Sequence, residues 1–474
     1  MTNPRRPNIL WICTDQQRFD NVSGFGNPKV RTPNIDALMN RGVSFFNAYC
    51  QSPVCTPSRA SFLTGRYPRT TRCRQNGQKM PGYERLISRV FADQGYVCGL
   101  AGKLHLASCA NNRVEERIDD GYHEFNWSHH PQPDWPENAY SQWLESQGTS
   151  WQELNAGQGT PYVKPGPPAR FHQTTWCAEM TIDFIRRHTG EPWFFSFNCF
   201  DPHHPFDPPV EYLRRYDPDD MPLPKVRPGE LENKPEYQRL DSVWAHNEPG
   251  YFDVASMTDQ DRREVTAACY AMCELIDDQF GRIMQTLEET GQLENTLVIF
   301  MSDHGEMLGD HGIYLKGPHF YDEAVHVPLV MALPGVFKEG LEVRGMVELL
   351  DIAPTLCDVA GIPAEVGFQG KSLGPMCRGE VPPDHHRDHV YSEYYNAWTH
   401  HRSYGTMLRT QTHKIVVYHA TGQGELYDLV KDPDEFENLW DRPEAADLKL
   451  TMMQKCFDAS VLSMDPLPER LGPF

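Results

Sequence analysis

Short apolar runs and longer helical patterns alternate along the amino-acid sequence. The runs are rich in β-branched and aromatic residues and have the length of strands, at residues 8–14, 96–102, 193–200, 296–302 and 327–333. Apolar residues at helical spacing lie between them, most clearly at 32–39 and 259–293. This alternation predicts an α/β fold, in which a large mixed and mostly parallel sheet is sandwiched by helices.

The pattern changes after about residue 370. Shorter strand-like pieces follow at 388–395, 404–409 and 414–418, and a helical pattern lies near 443–461. Because 474 residues exceed what one ordinary core holds, we expect two units. The first, residues 1–370, is the predicted α/β domain. The second, residues 371–474, is a smaller C-terminal α+β subdomain with an antiparallel sheet and a terminal helix.

The chain is acidic, with 44 Lys and Arg against 65 Asp and Glu and a formal net charge of −21. Such a charge disfavours binding to nucleic acid or to an anionic membrane. No apolar run reaches the roughly 18 residues of a membrane span, and the basic opening leads into a short strand pattern, so we expect no signal peptide and a cytoplasmic location. The 13 cysteines form no C-x-x-C pair, which favours reduced thiols.

Polar residues follow four of the predicted strands directly. They are Asp15, Lys103, His105, Asp201, His203, His204, Asp303 and His304. Any one of them alone is explained as a turn aspartate or a hydrogen-bonded histidine. Because ligands of open α/β sheets bind at the carboxyl ends of the strands, however, their coincidence predicts one site for a divalent cation and an anionic substrate.

The segment 55–65 carries the most specific pattern. Pro57 stands where a helix would begin and Gly65 where it would end, which places Cys55 at the positive end of a short helix. That position suits a nucleophile or an anion. The alternative is a buried structural cysteine, but Arg59, one turn along, would be costly to bury without an anionic partner. A thiol phosphatase has its arginine six positions after the cysteine, whereas here the interval is four.

These residues closely resemble the type I, formylglycine-dependent sulfatases of the alkaline-phosphatase superfamily. Their signature is C-x-P-S-R followed six residues later by T-G or L-G, and Cys55-Thr-Pro-Ser-Arg59 with Leu63-Thr-Gly65 matches it throughout. Further matching segments are Asp15 after the opening strand, 102–105, 202–205, 302–306, Lys316, 425–429, 432–433 and 437–439. The resemblance therefore spans nearly the whole chain and implies an alkaline-phosphatase-like fold with its catalytic domain at 1–370.

The resemblance also implies the chemistry of the site. A separate maturation enzyme would convert Cys55 to formylglycine. One divalent cation, Ca²⁺ first and Mn²⁺ as the alternative, would be held by Asp15, Cys55, Asp303 and His304. The implied catalytic residues are Cys55, Arg59, Lys103, His105, His203 and Lys316. The implied substrate contacts are Asn76, Lys103, His203 and Lys316.

Individual roles follow from the same resemblance. Arg59 and Lys103 would steady the aldehyde hydrate, and His105 would be the base for its elimination step. His203 and Lys316 would contact the sulfate oxygens and help to protonate the leaving group, which supplies local positive charge in an acidic chain.

Two departures point to a branch of the family. Many sulfatases have Asp-Asp after the first strand and Asp-Asn after the later one, whereas this chain has Asp15-Gln16 and Asp303-His304. Choline-sulfatases and phosphonate monoester hydrolases resemble the chain in both features and in Gln75-Asn76. Lys103 and His105 favour the sulfatase side, because the phosphonate hydrolases carry Tyr and Thr in that region.

We therefore expect a sulfuric ester hydrolase that cleaves a small-molecule or sugar sulfate. Two alternatives stay open: a phosphonate monoester or phosphodiester hydrolase that uses the same site, and a catalytically silent anion-binding homologue. A homo-oligomer is a further open alternative. The proline-rich excursions at 131–168 and 201–250, with His129, His130, Trp135 and Trp151 in or beside them, either shape the pocket or expose solvated aromatics.

Overall fold

The computed structural model describes residues 6–130, 135, 137–155, 157–397 and 402–468. The strands within these residues are β1 (Asn8–Thr14), β2 (Val43–Phe45), β3 (Ala48–Tyr49), β4 (Val97–Gly102), β5 (Glu124–Trp127), β6 (Trp193–Asn198), β7 (Thr296–Ser302), β8 (Leu329–Ala332), β9 (Leu341–Val343), β10 (Val347–Glu348), β11 (Val390–Tyr395), β12 (Tyr404–Arg409), β13 (His413–Tyr418) and β14 (Gly424–Asp428).

The α-helices of the same residues are α1 (Pro33–Arg41), α2 (Cys55–Thr64), α3 (Pro68–Thr71), α4 (Ile87–Asp93), α5 (Ala139–Ser146), α6 (Trp151–Leu154), α7 (Gln173–Arg187), α8 (Val210–Leu213), α9 (Glu236–Asp241), α10 (Asp259–Glu289), α11 (Asp322–Val325), α12 (Ile352–Ala360), α13 (Gly374–Cys377) and α14 (Ala446–Leu462).

Eight strands form the main sheet in the order β5-β4-β6-β1-β7-β8-β2-β9. The five from β5 to β7 run parallel, β8 is antiparallel to both of its neighbours, and β2 is parallel to β9. The predicted mixed and mostly parallel sheet is therefore confirmed. The runs at 8–14 and 296–302 match β1 and β7 residue for residue, whereas the run at 327–333 forms the shorter and antiparallel β8.

Both faces of the sheet are covered, which explains why β1 is apolar along its whole length. Ile9 and Trp11 belong to one core, which also takes residues of α2, α4 and α12. Leu10 and Ile12 belong to the other, which takes residues of α1, α7 and α10. Successive side chains of a strand point to opposite faces, so a strand buried on both sides has no polar face.

The C-terminal residues add a second sheet in the antiparallel order β11-β12-β13-β14, with α14 packed on it. This confirms the predicted antiparallel sheet and terminal helix; the boundary between residues 370 and 371 stays a prediction. β14 was not predicted, because two of its five residues, Glu425 and Asp428, are charged. Glu425 is nevertheless buried, where it accepts hydrogen bonds from Tyr418 and Tyr427. Among the described residues, no helix combines the length and the apolar character needed to cross a bilayer.

Candidate active site

The site lies at the carboxyl ends of β4, β6, β1 and β7, which are neighbours in the sheet. Asp15 follows β1, Lys103 follows β4 and Asp303 follows β7, while His203 comes five residues after the end of β6. The sheet order therefore brings these predicted residues to one rim, as expected for a parallel sheet. Asp201 does not join them: its carboxylate accepts a hydrogen bond from Thr174 Oγ1 at 2.7 Å and faces α7.

Cys55 is the first residue of α2, whose ten residues are all buried and which ends at Gly65 with φ of 65°. Its Sγ lies 3.1 Å from His304 Nε2 and 3.6 Å from Asp15 Oδ1. Burial and Asp15 oppose ionisation of the thiol, but Lys103, Lys316 and His304 outweigh them and lower the pKa of Cys55. The cysteine is thus held among charged groups.

Arg59 lies one turn further along α2 and is almost fully buried. Its Nε donates to Asp303 Oδ2 at 2.8 Å, its Nη2 lies 3.6 Å from Asp15 Oδ2, and its Nη1 donates to the Lys103 carbonyl at 2.9 Å. Burial opposes its charge, but the two aspartates raise the pKa of Arg59 above its ordinary value. The anionic partner that a buried arginine requires is therefore present.

Four ligand atoms, one from each of the predicted metal ligands, lie within 4.8 Å of one another in a fully buried group. They belong to Asp15, Cys55, Asp303 and His304. The Nδ1 atom of His304 donates to the Gly305 carbonyl at 2.9 Å, which leaves Nε2 facing the other three. Two carboxylates and one imidazole nitrogen fit a divalent cation.

Basic groups surround the same carboxylates. Lys103 Nζ donates to Asp15, and Lys316 Nζ contacts both Gln16 Oε1 and His203 Nε2. His203 Nδ1 donates to the His204 carbonyl, so its Nε2 accepts from the lysine. The structure thus places Lys316 and His203, which the family resemblance assigned to the same sulfate oxygens, in direct contact although 113 positions separate them in the sequence.

Glu306 is a site residue that the sequence did not single out beyond its place in the 302–306 match. It accepts a hydrogen bond from Gln16 Nε2 and from the backbone N–H groups of Leu308 and Leu315. The contact with Glu306 turns the carbonyl oxygen of Gln16 toward Lys316. The Asp15-Gln16 departure therefore has a structural consequence, since the glutamine occupies the position between a carboxylate and a lysine.

A cavity of about 620 Å³ opens over Cys55. It is lined by Cys55, Asn76, Gly77, Lys103, His105, Ser108, Cys109, Ala110, His129, His130, Trp135, His203, His204, His246, Glu248, Tyr251 and Lys316. Asn76 Oδ1 accepts from the Thr56 N–H at 3.0 Å, which fixes this amide beside the first turn of α2.

His129, His130 and Trp135 line the cavity, so the pocket-shaping interpretation of these three holds. Trp151 does not line it; this residue begins α6 and packs, half-buried, against the core that contains α7. Sequence reasoning missed His246, Glu248 and Tyr251, which come from an irregular segment. The signal was the density of histidines and aromatics at 201–251, but no periodicity shows which of them turn inward.

The cavity wall carries uncharged imidazoles. Burial, and then the charge of Lys103, lower the pKa of His105 well below its ordinary value. Burial and Lys316 do the same for His203 and bring the pKa of His246 to about 3. These rings are therefore neutral near pH 7 and able to accept protons or hydrogen bonds. The arrangement as a whole combines a candidate nucleophile, a group of side chains that could hold one cation (the cation cluster), basic groups for an anion and a neutral base.

Comparison with known proteins gives matches along nearly the whole chain. The model of the sulfatase family matches residues 7–362, and the model of the C-terminal region of N-sulphoglucosamine sulphohydrolase matches residues 309–461. An arylsulfatase from Clostridium perfringens is 30% identical, covering 92% of this chain and 90% of its own. A choline-sulfatase from Rhizobium meliloti is 29% identical, covering 92% and 83%.

Among solved structures, a phosphonate monoester hydrolase from Silicibacter pomeroyi superimposes with a TM-score of 0.85. It is 25% identical to this chain, and the match covers 97% of this chain and 96% of that one. The chain is therefore similar in sequence to sulfatases, and in structure to a phosphonate monoester hydrolase.

Proposed function

The chain belongs to the sulfatase family, and from that premise we propose that it is a sulfuric ester hydrolase that uses a formylglycine derived from Cys55. The observation that carries the proposal is the placement of Cys55. It lies at the start of α2, within a buried cluster of two carboxylates and a histidine, and on the floor of a cavity. A silent homologue would have no need to keep this arrangement together with Arg59 and Lys103.

When Cys55 is converted by the maturation enzyme, the hydrated aldehyde supplies two hydroxyls on one carbon, one to attack sulfur and one whose deprotonation expels sulfate. Arg59 and Lys103 orient this group, because both reach the carboxylates that surround it. His105 lines the same cavity as a neutral imidazole and accepts the proton. Lys316, in contact with His203, binds the sulfate oxygens and provides a proton for the leaving alcohol.

One divalent cation completes the proposed site. Asp15, Asp303, His304 and the modified Cys55 would hold it, with Ca²⁺ as the first choice and Mn²⁺ as the alternative, since the set combines hard oxygen ligands with one nitrogen. When bound, the cation supplies positive charge that stabilises negative charge on the reacting groups.

The proposed substrate is a small-molecule or sugar sulfate. A cavity of about 620 Å³ has the size of a small-molecule site and accommodates a leaving group of one or a few rings. Its walls offer neutral imidazoles, an indole and a phenol, which suit hydroxyl groups and rings. The choline-sulfatase relative acts on another small sulfate, which is consistent with this size class.

A second candidate is a phosphonate monoester or phosphodiester hydrolase with the same residues. It is favoured by the structural neighbour from Silicibacter pomeroyi and by Gln16 and His304 at the cation cluster. Sulfate monoesters, phosphonate monoesters and phosphodiesters each carry one negative charge, so we expect measurable crossover among them.

The proposal is tested by peptide mass analysis and turnover on one preparation that was co-produced with the maturation enzyme. We expect the aldehyde mass at residue 55 and hydrolysis of an aryl sulfate, with activity lost in Cys55→Ala. Full activity in protein that retains only the unmodified thiol would refute the mechanism. A preparation with verified aldehyde that turns over no ester would favour the silent homologue.

A further inference from the structure

Glu115 is a buried carboxylate that the reaction does not use directly, yet it is fully engaged in hydrogen bonds. Its Oε1 accepts from the His105 N–H and from the Trp127 indole N–H, both at 2.6 Å. Its Oε2 accepts from the Leu106 N–H at 2.5 Å and the Ala107 N–H at 3.0 Å. Glu115 is 3% exposed and lies in the irregular excursion between β4 and β5. One side chain thus satisfies four donors.

The backbone that Glu115 holds is the one that carries His105. His105 has φ of 61°, in the left-handed region that non-glycine residues rarely adopt. Such a conformation persists only when its surroundings fix it. Glu115 accepts hydrogen bonds from the N–H groups of three consecutive residues, and the first of them is His105. The carboxylate therefore contacts the strained residue directly.

The His105 ring has little else to hold it. Its Nδ1 is buried, and among the residues that the structure describes this atom has no hydrogen-bond partner and the ring has one close ring contact, the perpendicular His129, with centroids 4.4 Å apart. His203 and His304, in contrast, are each fixed by hydrogen bonds to their ring nitrogens. The position of the His105 ring therefore depends on its backbone and on packing.

Through Trp127, Glu115 is also connected to an aromatic part of the cavity wall. Trp127 donates a hydrogen bond from its indole N–H to Glu115. The Trp127 ring stacks on Trp135, with centroids 5.4 Å apart and planes at 15°. Trp135 lines the cavity, as does His105. One carboxylate thus links the backbone of the proposed base to the aromatic wall beside it.

We propose that Glu115 is a positioning residue, which holds His105 at the cavity by clamping its backbone to Trp127. The inference rests on the proposed function, because it takes His105 as the base. A carboxylate is required at this position, since both of its oxygens accept and four N–H groups surround it. An amide of the same shape would turn an NH₂ group against donors, which removes two hydrogen bonds and adds repulsion.

The test is a double-mutant cycle with Glu115→Gln and His105→Ala, measured on protein with verified formylglycine. We expect His105→Ala to lower kcat about 100-fold and Glu115→Gln about 10-fold, with KM changed less than about threefold. If Glu115 acts through His105, adding Glu115→Gln to His105→Ala will change kcat by less than about twofold. Additive losses would overturn the proposal.

Asp277→Asn is the matched control. Asp277 is also a buried carboxylate that accepts hydrogen bonds from backbone N–H groups, those of Asn34 and Ile35, but it lies in α10, contacts the first turn of α1 and does not line the cavity. The Asp277→Asn variant should keep kcat within about twofold of wild type and lower the melting temperature as much as Glu115→Gln does. A loss of kcat in the control equal to that in Glu115→Gln would mean that general destabilisation explains the effect.

A crystal structure of Glu115→Gln separates this inference from the proposed function, because it requires no turnover. We expect the φ of His105 to leave the left-handed region and its ring to move by more than about 1 Å, a displacement of the size that impairs catalysis. An unmoved His105 would overturn the inference even if the enzyme proves to be a sulfatase. An inactive wild-type protein with verified aldehyde would refute the proposed function and leave the structural prediction to be decided by this comparison.

Discussion

Asp303 and Asp15 are both proposed cation ligands, and both carboxylates also lie against the buried Arg59. We predict that Asp303→Ala will abolish binding of a divalent cation and lower kcat at least about 1,000-fold, since it removes a proposed ligand and the 2.8 Å partner of Arg59. Metal analysis by mass spectrometry, after stripping and reloading with Ca²⁺ or Mn²⁺, checks the first effect.

Asp201→Asn is the control: its buried carboxylate follows β6 but faces Thr174, so metal content should stay normal. Normal metal content in Asp303→Ala would show that the proposed ligand set is wrong.

The end of β4 positions Lys103 through a close backbone contact with β6. Gly102 ends β4 with φ of 105°, and a Cβ atom there would lie 1.9 Å from the Asn198 carbonyl oxygen. We predict that Gly102→Ala will destabilise the fold by more than about 3 kcal/mol and displace Lys103, measured by urea unfolding and by kcat. Gly148→Ala, also at positive φ but with nothing within 4 Å, should cost about 1 kcal/mol and leave kcat unchanged. Equal effects in the two variants would contradict this account of the β4 terminus.

The sequence predicted the regular strands well and the irregular segments poorly. β1 and β7 were located to the residue because strands buried on both faces have an uninterrupted apolar pattern, and the parallel order then places Asp15 beside Asp303. Tyr251, which lines the cavity, and Glu115, which contacts the backbone of His105, were not found, because both lie in irregular backbone that has no period. Trp151 was weighed with the pocket residues, but the start of a short helix turns it toward the core.

At the scale of the whole molecule, buried ion pairs join the segment before β11 to the main body. Arg387 donates to both Glu348 and Asp351. Burial acts to raise the pKa of Asp351, but the contact with Arg387 outweighs burial and lowers this pKa from 3.8 to about 2. The pKa of Glu348, which shares the arginine, is instead raised by burial, so we assign the ionised partner to Asp351.

A carboxyl group whose pKa is lower in the folded state stabilises the fold above its unfolded pKa and loses that effect as the pH falls toward the folded value. We therefore predict that Asp351 accounts for about 1 kcal/mol of the stability that the wild type loses between pH 5 and pH 3. Urea unfolding at the two pH values should show a smaller loss in Asp351→Asn than in wild type. An equal loss in both proteins would mean that this ion pair does not contribute to acid sensitivity.

Hydrolysis of sulfate esters at the cavity over Cys55 is tested by a side-by-side measurement of kcat/KM on a panel of esters. The panel contains aryl, choline and sugar sulfates, phosphonate monoesters and phosphodiesters, all assayed on one preparation with verified formylglycine. Because Lys103 adds a positive charge and His105 the proposed base in the cavity that Cys55 lines, we predict the highest kcat/KM for a sulfate ester and lower values for the phosphorus esters. A phosphonate monoester that is turned over more efficiently than every sulfate in the panel would contradict the account.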